Sequence, residues 1–327
     1  MMFIRSRRHL LQAGACGIAT LAVPAWAQLA EGRPITLVVP YSPGGTGDIL
    51  GRALAHELAA VTGNACVVEN RGGAGGNVGA ERVVHARPDG LTLLFTATSL
   101  ASNPSLMKTM NFDPQKDLTA IAGPITLQNI VMVNNSLPIH SIQELVDYAK
   151  ANPGALSFGS SGIGSSNHLA AELFKIEAGV DMLHIPYKSA GEVIPSLISG
   201  TTQVMFDLMP SSLPHVQNNT VRALAVTGAT RSPLFPDLPT VAEAGVPNYQ
   251  FSAWFGVFAP SATPPAMVEQ LNAAINKAMA APALSERLMQ LGAEAQINPP
   301  DGFARYFKGE IDRWEQVIRD SGISLEK

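Results

Sequence analysis

Two turns rich in glycine and hydroxyl residues carry the residue types best suited to hold a ligand. They are Pro43-Gly44-Gly45-Thr46-Gly47-Asp48 and Ser160-Ser161-Gly162-Ile163-Gly164-Ser165-Ser166. Glycine lets a backbone come close to a ligand, serine and threonine add hydroxyl groups, and the first N–H groups of a following helix are free and partially positive. Neither turn contains lysine or arginine. That chemistry suits a carboxylate held by neutral donors better than a phosphate clamped by charge, and two such turns in separate parts of one chain predict two walls of a cleft. Thr46, Ser161, Ser165 and Ser166 are the expected direct contacts, with Pro43, Gly44, Gly45, Ser160, Gly162 and Gly164 as the backbone that presents them.

Other polar residues fall at predicted strand ends. Asp207 closes the apolar run Val204-Met205-Phe206, where its carboxylate either accepts from a ligand hydroxyl or amine or caps Ser211-Ser212. Asp48 stands at the start of a helix, as a cap or as a ligand contact. Tyr187 offers a ring as a wall and a hydroxyl as a donor, Tyr41 precedes the first turn, and Thr98 follows a strand whose end reaches a cleft floor.

The elements that position these residues are readable from periodicity. Ile35–Val39 is a β-rich run, and Ile49, Ala53 and Leu54 share a helical face after the first turn. Runs at 66–69 and 91–96 flank a helix at 77–86, the pattern of a parallel βαβ sheet. A second series replays the first: a helix opened by the capping pair Ser141 and Glu144, a strand at 156–159, the second turn, a helix ending at Gly179, and strands at 182–186, 203–206 and 222–227. Thr240 and Glu243 predict a short helix stopped by Gly245. After the strand-like run 251–260, Met267, Leu271, Ile275 and Met279 mark a buried helical stripe in a helical C-terminal third. The expected class is α/β with two lobes, each a mostly parallel sheet flanked by helices, joined by crossing segments near 121–134 and 251–260.

The chain has 327 residues, 46% of them hydrophobic and 15% charged, enough for a large core and two lobes. Arg5, Arg7 and Arg8 precede an apolar stretch from Leu10 to Val23, and Ala25-Trp26-Ala27 is a small-residue cleavage site. Residues 1–27 are therefore expected to be an export signal, by the Sec or the twin-arginine route, with the mature chain beginning at Gln28. Losing them removes three arginines and no acid from a formal charge of −4, leaving −7, which disfavours nucleic acid as a partner. Only Cys66 then remains, so no internal disulfide can form. No other apolar run approaches the roughly 20 residues that span a bilayer. The mature protein is expected in the periplasm and not embedded in a membrane.

Catalytic patterns are not assembled. Gly159-Ser160-Ser161-Gly162-Ile163 departs from the Gly-x-Ser-x-Gly nucleophile elbow at its last position, and no relay partner can be assigned to His168 or His184. There is no zinc or calcium motif and no P-loop, and Gly73-Ala74-Gly75-Gly76-Asn77-Val78 has valine where a dinucleotide fingerprint needs glycine. No cofactor and no metal are expected, and serine-dependent acyl hydrolysis is the rival class to reversible binding.

Seven blocks in order resemble the receptors of the tripartite tricarboxylate transporter group, the TctC or Bug family. They begin with Val39-Pro40-Tyr41-Ser42-Pro43-Gly44-Gly45-Thr46-Gly47-Asp48, Asn70-Arg71-Gly72-Gly73-Ala74-Gly75-Gly76-Asn77 and Gly159-Ser160-Ser161-Gly162. His184-Ile185-Pro186-Tyr187-Lys188, Phe206-Asp207, Leu238-Pro239-Thr240-Val241-Ala242-Glu243-Ala244-Gly245 and Trp254-Phe255-Gly256 complete the set. The resemblance implies a type II-like periplasmic binding protein, monomeric, that closes on a small organic acid. It presents the acid to a tripartite tricarboxylate-type membrane permease or to a sensor. It places lobe 1 at 28–126 with 254–327 and lobe 2 at 127–253. Ser189 stands where the family usually has glycine, and its side chain would narrow the pocket.

Overall fold

The computed structural model describes residues 32–187 and 190–321. The readings of an export signal at 1–27 and of Ser189 lie outside the described residues. The first series runs β1 (Ile35–Val39), α1 (Thr46–Thr62), β2 (Cys66–Asn70), α2 (Asn77–Val84), β3 (Thr92–Ala97), α3 (Ser99–Leu106), α4 (Pro114–Asp117) and β4 (Leu118–Leu127). The second runs β5 (Asn129–Val133), α5 (Ile142–Ala151), β6 (Ser157–Ser160), α6 (Ser166–Ala178), β7 (Leu183–Pro186), α7 (Ala190–Ser199), β8 (Val204–Leu208), α8 (Met209–Gln217) and β9 (Arg222–Val226). The chain finishes with β10 (Ala253–Pro260), α9 (Pro265–Met279), α10 (Pro282–Gln290), β11 (Ala293–Ala295) and α11 (Pro300–Ser321).

Two sheets result, with strand orders β11-β4-β10-β3-β1-β2 and β7-β6-β8-β5-β9. The chain leaves the first sheet at Gln128, between β4 and β5, and returns to it between β9 and β10. Both sheets are mixed where the sequence predicts mostly parallel ones. The β1–β2, β1–β3, β6–β7 and β6–β8 pairings are parallel. The strands beside the crossovers run the other way: β10 pairs antiparallel with both β3 and β4, and β5 with both β8 and β9. A strand that enters a sheet directly from the other lobe arrives without a crossover helix and so can pair antiparallel.

Local signals explain most element ends. Ser141 accepts from Glu144 N at 3.1 Å at the start of α5, and Ser165 accepts from His168 N at the start of α6. Gly63 and Gly179 close α1 and α6 in left-handed conformations. Met267, Leu271, Ile275 and Met279 are all buried, and α9 packs on α1 and β4 while α11 packs on α3 and β4. The Thr240–Glu243 pair forms both of its capping hydrogen bonds, yet 241–245 is a turn and not a helix, since Gly245 and Pro247 leave no room for a second turn. Among the described residues no helix is long and apolar enough to cross a membrane.

Candidate functional site

The C-terminal ends of β1, β3, β6 and β8 face one cavity of about 630 Å³ between the two sheets. In the first turn, α1 begins at Thr46 with Gly45 as an N-cap that has no side chain to satisfy the helix end. Ile49 N is the first to reach a carbonyl within the helix, at 3.0 Å on Gly45, which leaves the Thr46 and Gly47 N–H groups at the cavity edge. Gly47 is required by packing. A Cβ there would lie 2.5 Å from Cδ2 of Tyr41 and 3.2 Å from Cε1 of Phe255. Tyr41 is itself fixed: its hydroxyl accepts from Ala97 N at 3.0 Å and contacts the Thr96 and Ser99 hydroxyls, while burial raises its pKa against those hydrogen bonds.

In the second turn Ser165 donates its hydroxyl to Gly162 O at 2.6 Å and caps α6 at His168 N, so the free N–H groups are those of Ser166 and Asn167. Two imidazoles underlie this turn. Gly164 N donates to His168 Nδ1 at 3.2 Å, and His184 Nε2 lies 2.6 Å from Ser160 Oγ. The two imidazoles lie with centroids 4.2 Å apart at an angle of 31°, and Phe158 stacks on His184 at 4.8 Å. Burial lowers His168 to about 3, with smaller contributions from His184 and Lys175, and lowers His184 to about 4, so both are neutral.

Ten residues singled out from sequence stand on the cavity wall: Tyr41, Pro43, Gly45 and Thr46 from the first turn, Ser161, Gly162, Ser165 and Ser166 from the second, and Tyr187 and Asp207. Five do not. Gly44 turns its N–H onto Asp48 at 2.9 Å, and Asp48 also accepts from Asn70 and pairs with Arg52, each at 2.9 Å, so both hold the turn together. Thr98 is wholly buried and accepts from Trp254 N. Ser160 is wholly buried beneath its turn on His184, and Gly164 faces inward onto His168. Sequence reasoning passes over several wall residues: Asn70, the 72–76 glycine loop, Asn167, Ser211 and Phe255. The glycine run is visible as composition, whereas Asn167 and Ser211 become wall residues only once α6 and α8 are in place.

Of the two roles foreseen for Asp207, the contact with Ser211 and Ser212 is formed. It lines the cavity, and it accepts from Ser211 Oγ at 2.6 Å, Ser212 Oγ at 2.8 Å and Asn167 Nδ2 at 2.6 Å. Burial raises its pKa while these donors and the Leu208 N–H pull it back. No lysine or arginine is among the described wall residues. Helix starts supply the positive potential instead: Thr46 of α1, Ser99 of α3, Ser166 of α6, Gly191 of α7 and the cap residues Gly76 of α2 and Leu208 of α8 all border the cavity. Helix starts gathered in this way favour an anion without a cationic side chain. Among the described residues no cluster of His, Cys, Asp and Glu is suited to a metal.

The family model for the tripartite tricarboxylate transporter family receptor, TctC, matches residues 50–323. The chain belongs to this family. As a TctC receptor it is a periplasmic solute-binding protein, and several relatives match it over nearly its full length. BugT of Bordetella pertussis is 36% identical over 310 residues, 94% of this chain and 95% of BugT. The R. palustris protein Rpa4515, solved with adipate, is 37% identical with a TM-score of 0.86 over 90% of this TctC chain and 99% of its own. MatC from Rhodopseudomonas palustris, solved with bound malate, is 31% identical with a TM-score of 0.82 over 88% of this chain and 99% of its own.

Proposed function

We propose that this receptor captures a small organic acid of the dicarboxylate class in the cavity between its sheets and delivers it to a tripartite tricarboxylate-type membrane permease. The observation that carries this reading is the convergence of six helix starts on a cavity whose described wall has no cationic side chain. Adipate in Rpa4515 and malate in MatC support the class of ligand. Lobe 1, residues 28–126 and 254–327, offers the Thr46 and Gly47 N–H groups, and lobe 2, residues 127–253, adds those of Ser166 and Asn167 as the lobes rotate about the two crossing segments. Each helix end contributes up to about 2 kcal/mol when partly buried. Micromolar affinity requires about 8 kcal/mol. Closure over apolar walls such as Phe255, Pro43 and Tyr187 supplies the balance.

One observation speaks for hydrolysis: the 2.6 Å contact of Ser160 with His184 has the spacing of a nucleophile and its base. Ser160 is wholly buried and off the cavity wall, and no carboxylate among the described residues hydrogen-bonds His184. The pair supports the turn, and reversible binding by a monomer without a cofactor is the reading that fits. Mass spectrometry of acid released from denatured protein, followed by calorimetry of refolded protein with that acid, tests it. Recovery of a carboxylate that rebinds intact is expected; consumption of the acid during titration overturns the reading. A sensing role in place of transport predicts uptake of that acid unchanged by deleting the gene.

A further inference from the structure

We propose that Asp207 polarises one wall of the cavity so that the site selects an organic acid bearing a hydrogen-bond donor, a hydroxyl or an ammonium, on the carbon next to its bound carboxylate. The proposal rests on the dicarboxylate reading above and narrows it.

The basis is an unbroken chain of side chains across the cleft: Ser161, Asn167, Asp207, Ser211 and Thr46, every one on the cavity wall. Ser161 Oγ lies 2.8 Å from Asn167 Oδ1, and Asn167 Nδ2 lies 2.6 Å from Asp207 Oδ1. Ser211 Oγ lies 2.6 Å from Asp207 Oδ2, and Thr46 Oγ1 lies 3.1 Å from Ser211 Oγ. Burial works against ionisation of Asp207, and the donors gathered on it, Ser212 Oγ at 2.8 Å and the Leu208 N–H beside Asn167 and Ser211, favour the ionised form, which only accepts.

That single constraint fixes every proton along the chain. Asn167 must turn its amide nitrogen to Asp207, so its oxygen faces Ser161 and the Ser161 hydroxyl must donate to it. Ser211 has one proton, and the carboxylate of Asp207 at 2.6 Å outcompetes Leu208 O at 3.0 Å for it, so its oxygen accepts and the Thr46 hydroxyl donates to it. Ser165 is committed in the same way, to Gly162 O at 2.6 Å. The hydroxyls of Thr46, Ser161 and Ser165 therefore meet a ligand with lone pairs only. Those lone pairs repel a carboxylate and welcome a donor.

The backbone beside them is of opposite sign. Thr46 carries both a free helix-start N–H and an acceptor-only hydroxyl, and Asn167 carries a free N–H beside a side-chain oxygen already engaged by Ser161. A carboxylate docked on the N–H groups lies within a bond or two of the acceptor stripe. A donor on the adjacent carbon completes the match, and a methylene there leaves the buried acceptors without a partner, which costs binding.

Calorimetry on ligand-stripped, refolded full-length protein tests this with matched acids: succinate, malate and aspartate, and adipate with 2-hydroxyadipate and 2-aminoadipate. The expected result is that the substituted acids of at least one length bind about tenfold or more tightly than the plain diacid, the worth of one charge-assisted hydrogen bond. The hydroxy and amino members separate the two sources of the donor. Asp207→Asn, which can donate and so frees the chain to reverse, is expected to shrink the preference to about threefold or less. Ser161→Ala, which removes one acceptor and leaves the carboxylate in place, reads the same preference if the Asp207 variant does not fold. Plain diacids binding as tightly as their substituted partners, or a preference unchanged in both variants, overturns the proposal while the dicarboxylate reading stands. Failure of every acid to bind overturns both.

Discussion

Gly164 donates its backbone N–H to Nδ1 of His168 at 3.2 Å, so the second cavity-lining turn hangs on an imidazole that accepts only while uncharged. Gly164 has φ +78°, and a Cβ there would lie 2.6 Å from Asn103 Oδ1, so only glycine fits the conformation that aims this N–H at the ring. Burial first, then His184 and Lys175, holds His168 at about 3, below the ordinary value of 6.5; Lys175 is itself engaged by Glu172 at 3.1 Å. The unfolded chain therefore binds the proton first. Stability is complete above pH about 6.5 and declines toward pH 3, with a slope approaching about 1.4 kcal/mol per unit for this one group. Urea titrations between pH 4.5 and 7.5 should show that decline in the wild type and a flatter one in His168→Asn, whose oxygen replaces Nδ1 without titrating. His168→Leu should weaken binding of the acid where Asn preserves it.

Asp48 is a structural carboxylate. Burial pushes its pKa up, but Arg52, the Gly44 N–H and Asn70 together bring it below its usual value. Its contribution is present above the unfolded pKa near 4 and is lost as pH falls through the lower folded value. Asp48→Ala leaves the Gly44 N–H and the Asn70 amide without their acceptor and is expected to cost about 1–3 kcal/mol in thermal unfolding. Loss of affinity with no loss of stability would instead make Asp48 a ligand group.

The division between what the residues announce and what they hide follows from range. The turns at 43–48 and 160–166 are legible because glycine, serine and a strand end lie within a few positions of each other. α3 and α8 are not, because Pro104 and Pro214 interrupt their patterns and both helices are short. The polarity of the wall is least legible of all: Thr46 and Ser161 read as donors to a carboxylate, while tertiary packing brings Ser211 and Asn167 within hydrogen-bond reach of their hydroxyls. Gly44 and Asp48 bond to each other within the first turn, since a turn must satisfy its own groups before it serves a ligand.

Gly47 sets how closely the first helix start approaches its supports. With a Cβ 2.5 Å from the Tyr41 ring and 3.2 Å from Phe255, Gly47→Ala must move either the ring or the helix. Overpacking of this kind costs about 1–3 kcal/mol. Because Thr46 and Gly47 supply the free N–H groups, the displacement should weaken binding about tenfold or more, seen by calorimetry. Unchanged affinity would remove this helix start from the ligand's partners.

Thr46 and Ser211 join the lobes directly, through hydroxyls 3.1 Å apart on the first turns of α1 and α8. Ser211 and Ser212 both donate to Asp207, at 2.6 and 2.8 Å, yet only Ser211 reaches across the cleft. The two alanine variants therefore compare a cross-cleft contact with a local one, and because Ser211 also lines the cavity the scattering radius is the readout specific to closure. Each removes one donor from the same buried carboxylate, so their unfolding midpoints should fall by similar amounts. Ser211→Ala alone loses a bond that exists only while the lobes are together, so ligand affinity should drop about 2- to 10-fold further than in Ser212→Ala. Small-angle scattering without ligand should find the Ser211→Ala chain more extended. Equal affinities and equal radii in the two variants would show that the cross-cleft hydroxyl pair contributes nothing to closure.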